Sequence, residues 1–185
     1  MRFLCLSLLV SIALAQGGVA ATAQFGQLDF VTVTSTEPRS CSKFDDPRHA
    51  AVCGDNFFIS EDGGRRVLGV SLPTFAFVNG TLYGQTSCTV RSQTIDAVTF
   101  GPAWGVACGN DGIYAADNFG NRVMFFAGPV NQGAATQVLG QNNTANTAAS
   151  CSSDGMRNPA DVFVGADGVF VVDAGTTKAQ SFRLN

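Results

Sequence analysis

Histidine and tryptophan each occur once in the 185 residues, and only 14% of the chain is charged. No run of Lys and Arg appears anywhere, and the formal charge is −3. A protein that neutralises phosphates usually carries a basic stripe, so nucleic acid and anionic membrane are not the expected partners. No Cys-x-x-Cys spacing occurs and His49 has no second histidine to work with, which leaves no metal site to expect. The chain also lacks a P-loop, a dinucleotide fingerprint and any nucleophile with its base in a recognisable arrangement. Neither cofactor nor catalytic residue is expected. The one long apolar run, residues 3–14, amounts to about twelve residues where about twenty are needed to cross a bilayer.

That run follows Arg2 and ends in the small residues around Ala13-Leu14-Ala15, the layout of a secretory signal peptide over residues 1–15. Cleavage is expected after Ala15, with Ala21-Thr22-Ala23 as the second choice. The mature chain is then secreted or extracellular, or periplasmic in a bacterium, with no membrane span.

What is abundant is glycine, at 21 residues, and phenylalanine, at 15. Both suit short strands and tight turns, so the class is all-β. Self-similarity gives the organisation. Pro102-Ala103-Trp104-Gly105-Val106-Ala107-Cys108 is followed by Asp111-Gly112-Ile113-Tyr114-Ala115-Ala116-Asp117 and by Asn121-Arg122-Val123. Related strings start at Pro47 and at Pro159, giving spacings of 55 and 57 residues. Leu82-Tyr83-Gly84-Gln85 closes the first unit and Val138-Leu139-Gly140-Gln141 the second, while Phe25-Gly26-Gln27 forms an orphan copy at 23–27. Each unit reads as four short strands; in the second these are 104–108, 112–116, 122–127 and 137–140. Asn110-Asp111-Gly112 is the hairpin signal, with Gly112 supplying a positive φ.

These strings resemble the NHL-repeat family of β-propellers, in the long-unit type with an added Gly-Gln element. The second unit matches through Pro102, Gly105, Asp111, Gly112, Tyr114, Asp117, Asn121 and Arg122. The resemblance implies three four-stranded blades, at about 41–85, 97–141 and 154–185. Three are too few to close a propeller, which typically uses about four to eight. The chain is then a part of a larger propeller, or two copies combine as a homodimer into a six-bladed ring. The function implied is a non-enzymatic binding scaffold for a protein ligand. A lyase- or hydrolase-like propeller fragment and an oligomeric glycan-binding propeller are the alternatives. Trp104, Phe119 and Arg91 are the contact candidates.

Asp62 with Arg66, Asp117 with Arg122 and Asp173 with Lys178 recur once per unit, which marks a structural latch rather than a catalytic dyad. Cys53 and Cys108 each stand six residues after a unit's proline, and Gly165 takes that place in the third. The expected disulfides are Cys41–Cys53 and Cys88–Cys108, with Cys53–Cys108 between neighbouring units as an alternative and Cys151 free. Asn79 and Asn142 head N-glycosylation sequons in expected surface loops.

Overall fold

The computed structural model describes Phe25 and residues 39–74, 76–128 and 133–182. The expected signal peptide and the edge strand at 23–27 lie outside the described residues, Phe25 apart. The fold is all-β. Among the described residues, eleven strands form three antiparallel sheets in chain order. Sheet 1 holds β1 (Pro47–Cys53), β2 (Asn56–Glu61), β3 (Arg66–Ser71) and β4 (Phe77–Tyr83). Sheet 2 holds β5 (Ala103–Gly109), β6 (Gly112–Asp117), β7 (Arg122–Ala127) and β8 (Gln137–Leu139). Sheet 3 holds β9 (Pro159–Gly165), β10 (Gly168–Asp173) and β11 (Lys178–Phe182), with a single 3-10 turn over Ala174–Thr176. Within each sheet, strands adjacent in sequence pair, because short connections return the chain antiparallel to itself.

The three sheets stack face to face. Side chains alternate between the two faces of a strand, so each inner sheet can bury both. Phe58, Val67 and Tyr83 of sheet 1 pack on Val106, Ile113, Ala115, Met124 and Phe126 of sheet 2. The opposite face of sheet 2, with Ala107, Tyr114, Ala116, Val123 and Phe125, packs on Val162, Val169 and Val171 of sheet 3. We call the face turned toward the following sheet trailing and the other leading. Strand β5 lies against β1 on one side and β9 on the other, so the first strands of the three sheets are neighbours.

Equivalent hydrogen bonds recur at steps of 56 residues, not 55 and 57. The amides of Asp45, Gly101 and Arg157 donate to the carboxylates of Glu61, Asp117 and Asp173, each sixteen residues ahead. Gln85 Nε2 donates to Arg65 O and Gln141 Nε2 to Asn121 O, each twenty residues back. Pro47, Ala103 and Pro159 are thus the equivalent strand starts, and Pro102 stands one place earlier, opposite Asp46 and Asn158. These two have φ of 56° and 52°, values closed to a proline. Gly112 also departs from expectation. It has no positive φ; a Cβ there would lie 2.0 Å from Phe126 O, so close approach, and not the turn, requires the glycine.

The disulfides among the described residues are Cys41–Cys88 and Cys53–Cys108, the second being the alternative between neighbouring units, in place of Cys41–Cys53 and Cys88–Cys108; Cys151 is free and exposed. The reason is the corrected register. Cys53 is equivalent to Gly109 and Gly165, whereas Cys108 is equivalent to Val52 and Val164. One residue of offset puts the two thiols on opposite faces of their strands, Cys53 trailing and Cys108 leading, so they meet between sheets. Loops of 47 and 55 residues are closed, contributing about 4 kcal/mol each on chain-entropy grounds. Asn79 is exposed as expected, but it lies within β4 rather than in a loop, and the Thr81 hydroxyl of its sequon is buried on Gly69 O. Peptide mapping of the unreduced protein should recover Cys41 joined to Cys88 and Cys53 joined to Cys108, with Cys151 alkylated; a peptide joining Cys41 to Cys53 would contradict the sheet register.

Candidate functional site

Every sheet starts with a bulge. Arg48, Trp104 and Ala160 have no partner across their ladders, because pairing skips from Pro47 to His49, from Ala103 to Gly105 and from Pro159 to Asp161. An unpaired residue re-aims its side chain away from the regular face. Since β1, β5 and β9 are neighbours, the three bulges come together. They form, with His49 and Asp161, a cleft of about 260 Å³.

Trp104 Nε1 donates to Asp62 Oδ2 at 3.1 Å, and Arg48 lays its guanidinium 5.3 Å from the Trp104 ring centre. Arg48 in turn reaches Asp62 at 2.6 Å and Asp46 at 3.0 Å. These contacts with Asp62 raise the Arg48 pKa. Trp104 is therefore fixed against sheet 1 by its nitrogen while one ring face carries a cation. On the other side of the cleft, His49 Nδ1 lies 3.1 Å from Val106 O and 3.6 Å from Asp161 Oδ1. His49, Gly105 and Asp161 are equivalent positions on three successive strands. A Cβ on Gly105 would lie 2.7 Å from Asp161 Cα, so the glycine is what lets the histidine and the carboxylate meet across β5.

Of the three expected contact residues, Trp104 lines the cleft. Phe119 stands exposed in the β6–β7 turn, at the same end of sheet 2, and Arg91 is exposed in the segment between β4 and β5. Arg48, His49 and Asp161 complete the site. Sequence alone pointed to His49 only as an isolated residue, and the bulge that aims Arg48 leaves no mark on the residue pattern. Among the described residues no three of His, Cys, Asp and Glu converge as metal ligands.

The residues expected as latches make different contacts in the three sheets. Arg122 Nε donates to Asp117 Oδ2 at 2.8 Å, both side chains fully buried, and its remaining nitrogens donate to the carbonyls of Thr144, Asp96 and Thr99. In sheet 1 the partner of Arg66 is Glu61, at 3.0 Å, and not Asp62, which serves Arg48 and Trp104 instead. In sheet 3 no ion pair joins Asp173 to Lys178. Asp173 accepts from the Arg157 amide and from Thr176, and exposed Lys178 donates to Cys151 O. Burial pushes the Glu61 carboxyl up to about 7, against Arg66 and the Asp45 amide. Burial likewise raises Asp117, against Arg122 and the amides of Gly120 and Gly101.

No protein-family model matches the chain, and no curated protein matches it. The described residues contain no helix long and apolar enough to cross a membrane, and the two disulfides are compatible with an extracellular location.

Two measurements check the latches. Arg122→Leu leaves a buried carboxylate and three carbonyls without their partner, and urea denaturation should show a loss of about 3–5 kcal/mol. Lys178→Met, at an exposed site, should leave the midpoint nearly unchanged. Glu61 sets a pH dependence. A carboxyl with a raised folded pKa favours the fold while it keeps its proton. That contribution is complete below its ordinary 4.5 and is lost as pH rises through about 7. The urea midpoint should fall across that window, and Glu61→Gln should flatten the fall.

Proposed function

We propose that the chain is an extracellular, non-enzymatic protein-binding module of the NHL β-propeller type, with the three sheets as blades and β1, β5 and β9 lining the channel. The cleft at the bulges is its ligand site. The observation that carries this reading is the arrangement of Trp104. Its ring is pinned by Asp62 and Arg48 yet only half-buried, on a rigid frame of strands. Tryptophan and arginine held in this way are the residues that dominate protein interfaces, since a preordered aromatic side chain loses little freedom on binding. Arg48 and Asp161 add one charge of each sign, and both side chains keep 43% of their exposure. An extended peptide with an apolar side chain for the Trp104 ring and flanking charges fits such a cleft. A secreted location agrees with the N-terminal signal pattern and with the disulfides.

The test is selection of random peptides on the full chain with its disulfides intact, run beside a glycan array. Peptides enriched on the native chain should lose about tenfold or more in affinity for Trp104→Ala, as a central aromatic anchor does. Peptide binding indifferent to Trp104, or binding to glycans alone, would overturn the proposal.

A further inference from the structure

The trailing faces of the three sheets are built from equivalent positions but end differently. On sheet 1, Phe58, Ser60 and Val67 are fully buried under sheet 2; on sheet 2, Tyr114, Ala116 and Val123 are buried under sheet 3. Their counterparts on sheet 3 are Phe170, Val172 and Ala179. Phe170 and Val172 remain 42% and 50% exposed, and Phe163, the counterpart of buried Ala107, is 65% exposed. Ala179 is exposed as well. An apolar cluster of this kind on a sheet face marks a contact surface.

The same molecule carries a matching surface at its other end. In sheets 2 and 3 the leading face presents Val106 and Cys108, and Val162 and Val164, to the sheet before. The counterparts on sheet 1 are Ala50 and Val52. Both are exposed, Val52 at 60%, and neighbouring Phe57 is half-buried. The rest of that leading face, Ile59, Leu68 and Val70, is already buried, which confines the open part to the β1–β2 hairpin end. Phe163 and Phe170 flank the β9–β10 hairpin, the equivalent end of sheet 3.

We propose that the trailing face of sheet 3 docks on the leading face of sheet 1 of a second copy of this chain, head to tail. Phe163 and Phe170 of one copy then cover Ala50, Val52 and Phe57 of the other, in the way Ala107 and Tyr114 meet Val162, Val164 and Val169 within one chain. The argument for a second copy is that both halves of the sheet-to-sheet contact occur on one molecule, each at the hairpin end of its sheet and each exposed. Such a contact is heterologous, and it either closes into a ring or runs on as a filament. Closure with two copies and six blades rests on the propeller reading above; the contact itself does not.

The register makes the proposal testable by covalent capture. Cys53 on a trailing face meets Cys108 on the next leading face. The same step relates Gly165 to Val52 of the second copy. In a Cys151→Ser background, the double variant Val52→Cys/Gly165→Cys should form a covalent dimer under mild oxidation. Neither single variant should do so. Light scattering should give the native full chain twice its monomer mass, and Val52→Asp and Phe170→Asp should each halve it. Mixed together, these two variants should regain the dimer, because the Val52→Asp chain keeps a sound sheet 3 and the Phe170→Asp chain a sound sheet 1. Circular dichroism of each variant separates lost pairing from lost folding. A monomeric native chain, or capture by the single Gly165→Cys variant as efficient as by the double one, would overturn the proposal. In the first case the face of sheet 3 belongs to another partner or segment; in the second, two copies meet sheet 3 to sheet 3. Peptide binding at the Trp104 cleft is read separately and survives either result.

Discussion

The buried guanidinium of Arg122 joins three segments of the chain at one point. Its Nε engages Asp117 at the end of β6, one terminal nitrogen takes the Thr144 carbonyl beyond β8, and the other takes Asp96 and Thr99 ahead of β5. One side chain thereby ties the segment that enters sheet 2 to the segment that leaves it. Arg66 repeats the arrangement on Glu61, Ser40, Lys43 and Cys88. Only a planar fork with five donors can satisfy a carboxylate and several carbonyls at once while fully buried. Removing the charge from water is costly, and the full set of partners is what makes it tolerable.

The Cys41–Cys88 bridge follows from the same requirement. Arg66 joins the carbonyls of Ser40 and Lys43 to that of Cys88 by hydrogen bonds, and the disulfide joins the same two segments covalently. Around Arg122 the corresponding residues are Ala97 and Thr144, and the hydrogen bonds alone suffice. Sheet 3 shows the weaker limit. A lysine offers one compact ammonium, so Lys178 reaches a single carbonyl, stays exposed, and leaves Asp173 to be satisfied by Arg157 and Thr176. The grading from disulfide plus arginine, to arginine, to lysine runs along the chain from sheet 1 to sheet 3.

The all-β class, the strands of sheets 1 and 2 and the Asp117–Arg122 pair were legible in the sequence because they rest on local patterns: alternating apolar residues, an Asp-Gly turn, and an Asp and Arg five residues apart; sheet 3 has three strands among the described residues where four were expected. The register was not legible. Three prolines invited an alignment that placed Pro102 with Pro47 and Pro159. That slip of one residue carried Asp62 into the place of Glu61 and made Cys53 and Cys108 appear equivalent. In a strand one residue is the difference between two faces, so a small misalignment changed which thiols can meet. The bulges were illegible for a different reason. A bulge is a relation between two strands, and Arg48, Trp104 and Ala160 share no residue type that would betray it.

Frame and site separate when equivalent positions are compared. At the latch the three sheets carry Glu61, Asp117 and Asp173, then Arg66, Arg122 and Lys178, so each place keeps its charge. At the cleft the equivalent places carry Arg48, Trp104 and Ala160, then His49, Gly105 and Asp161, so charge, size and polarity all change. A repeated bulge with unlike side chains lets one frame present different chemistry at each equivalent position. Gly105 shows the division most sharply. Any larger residue there would collide with Asp161 Cα, and the position thus gives up a side chain of its own so that His49 and Asp161 can stand 3.6 Å apart. The rigidity needed to hold that pair comes from the sheets on either side of β5.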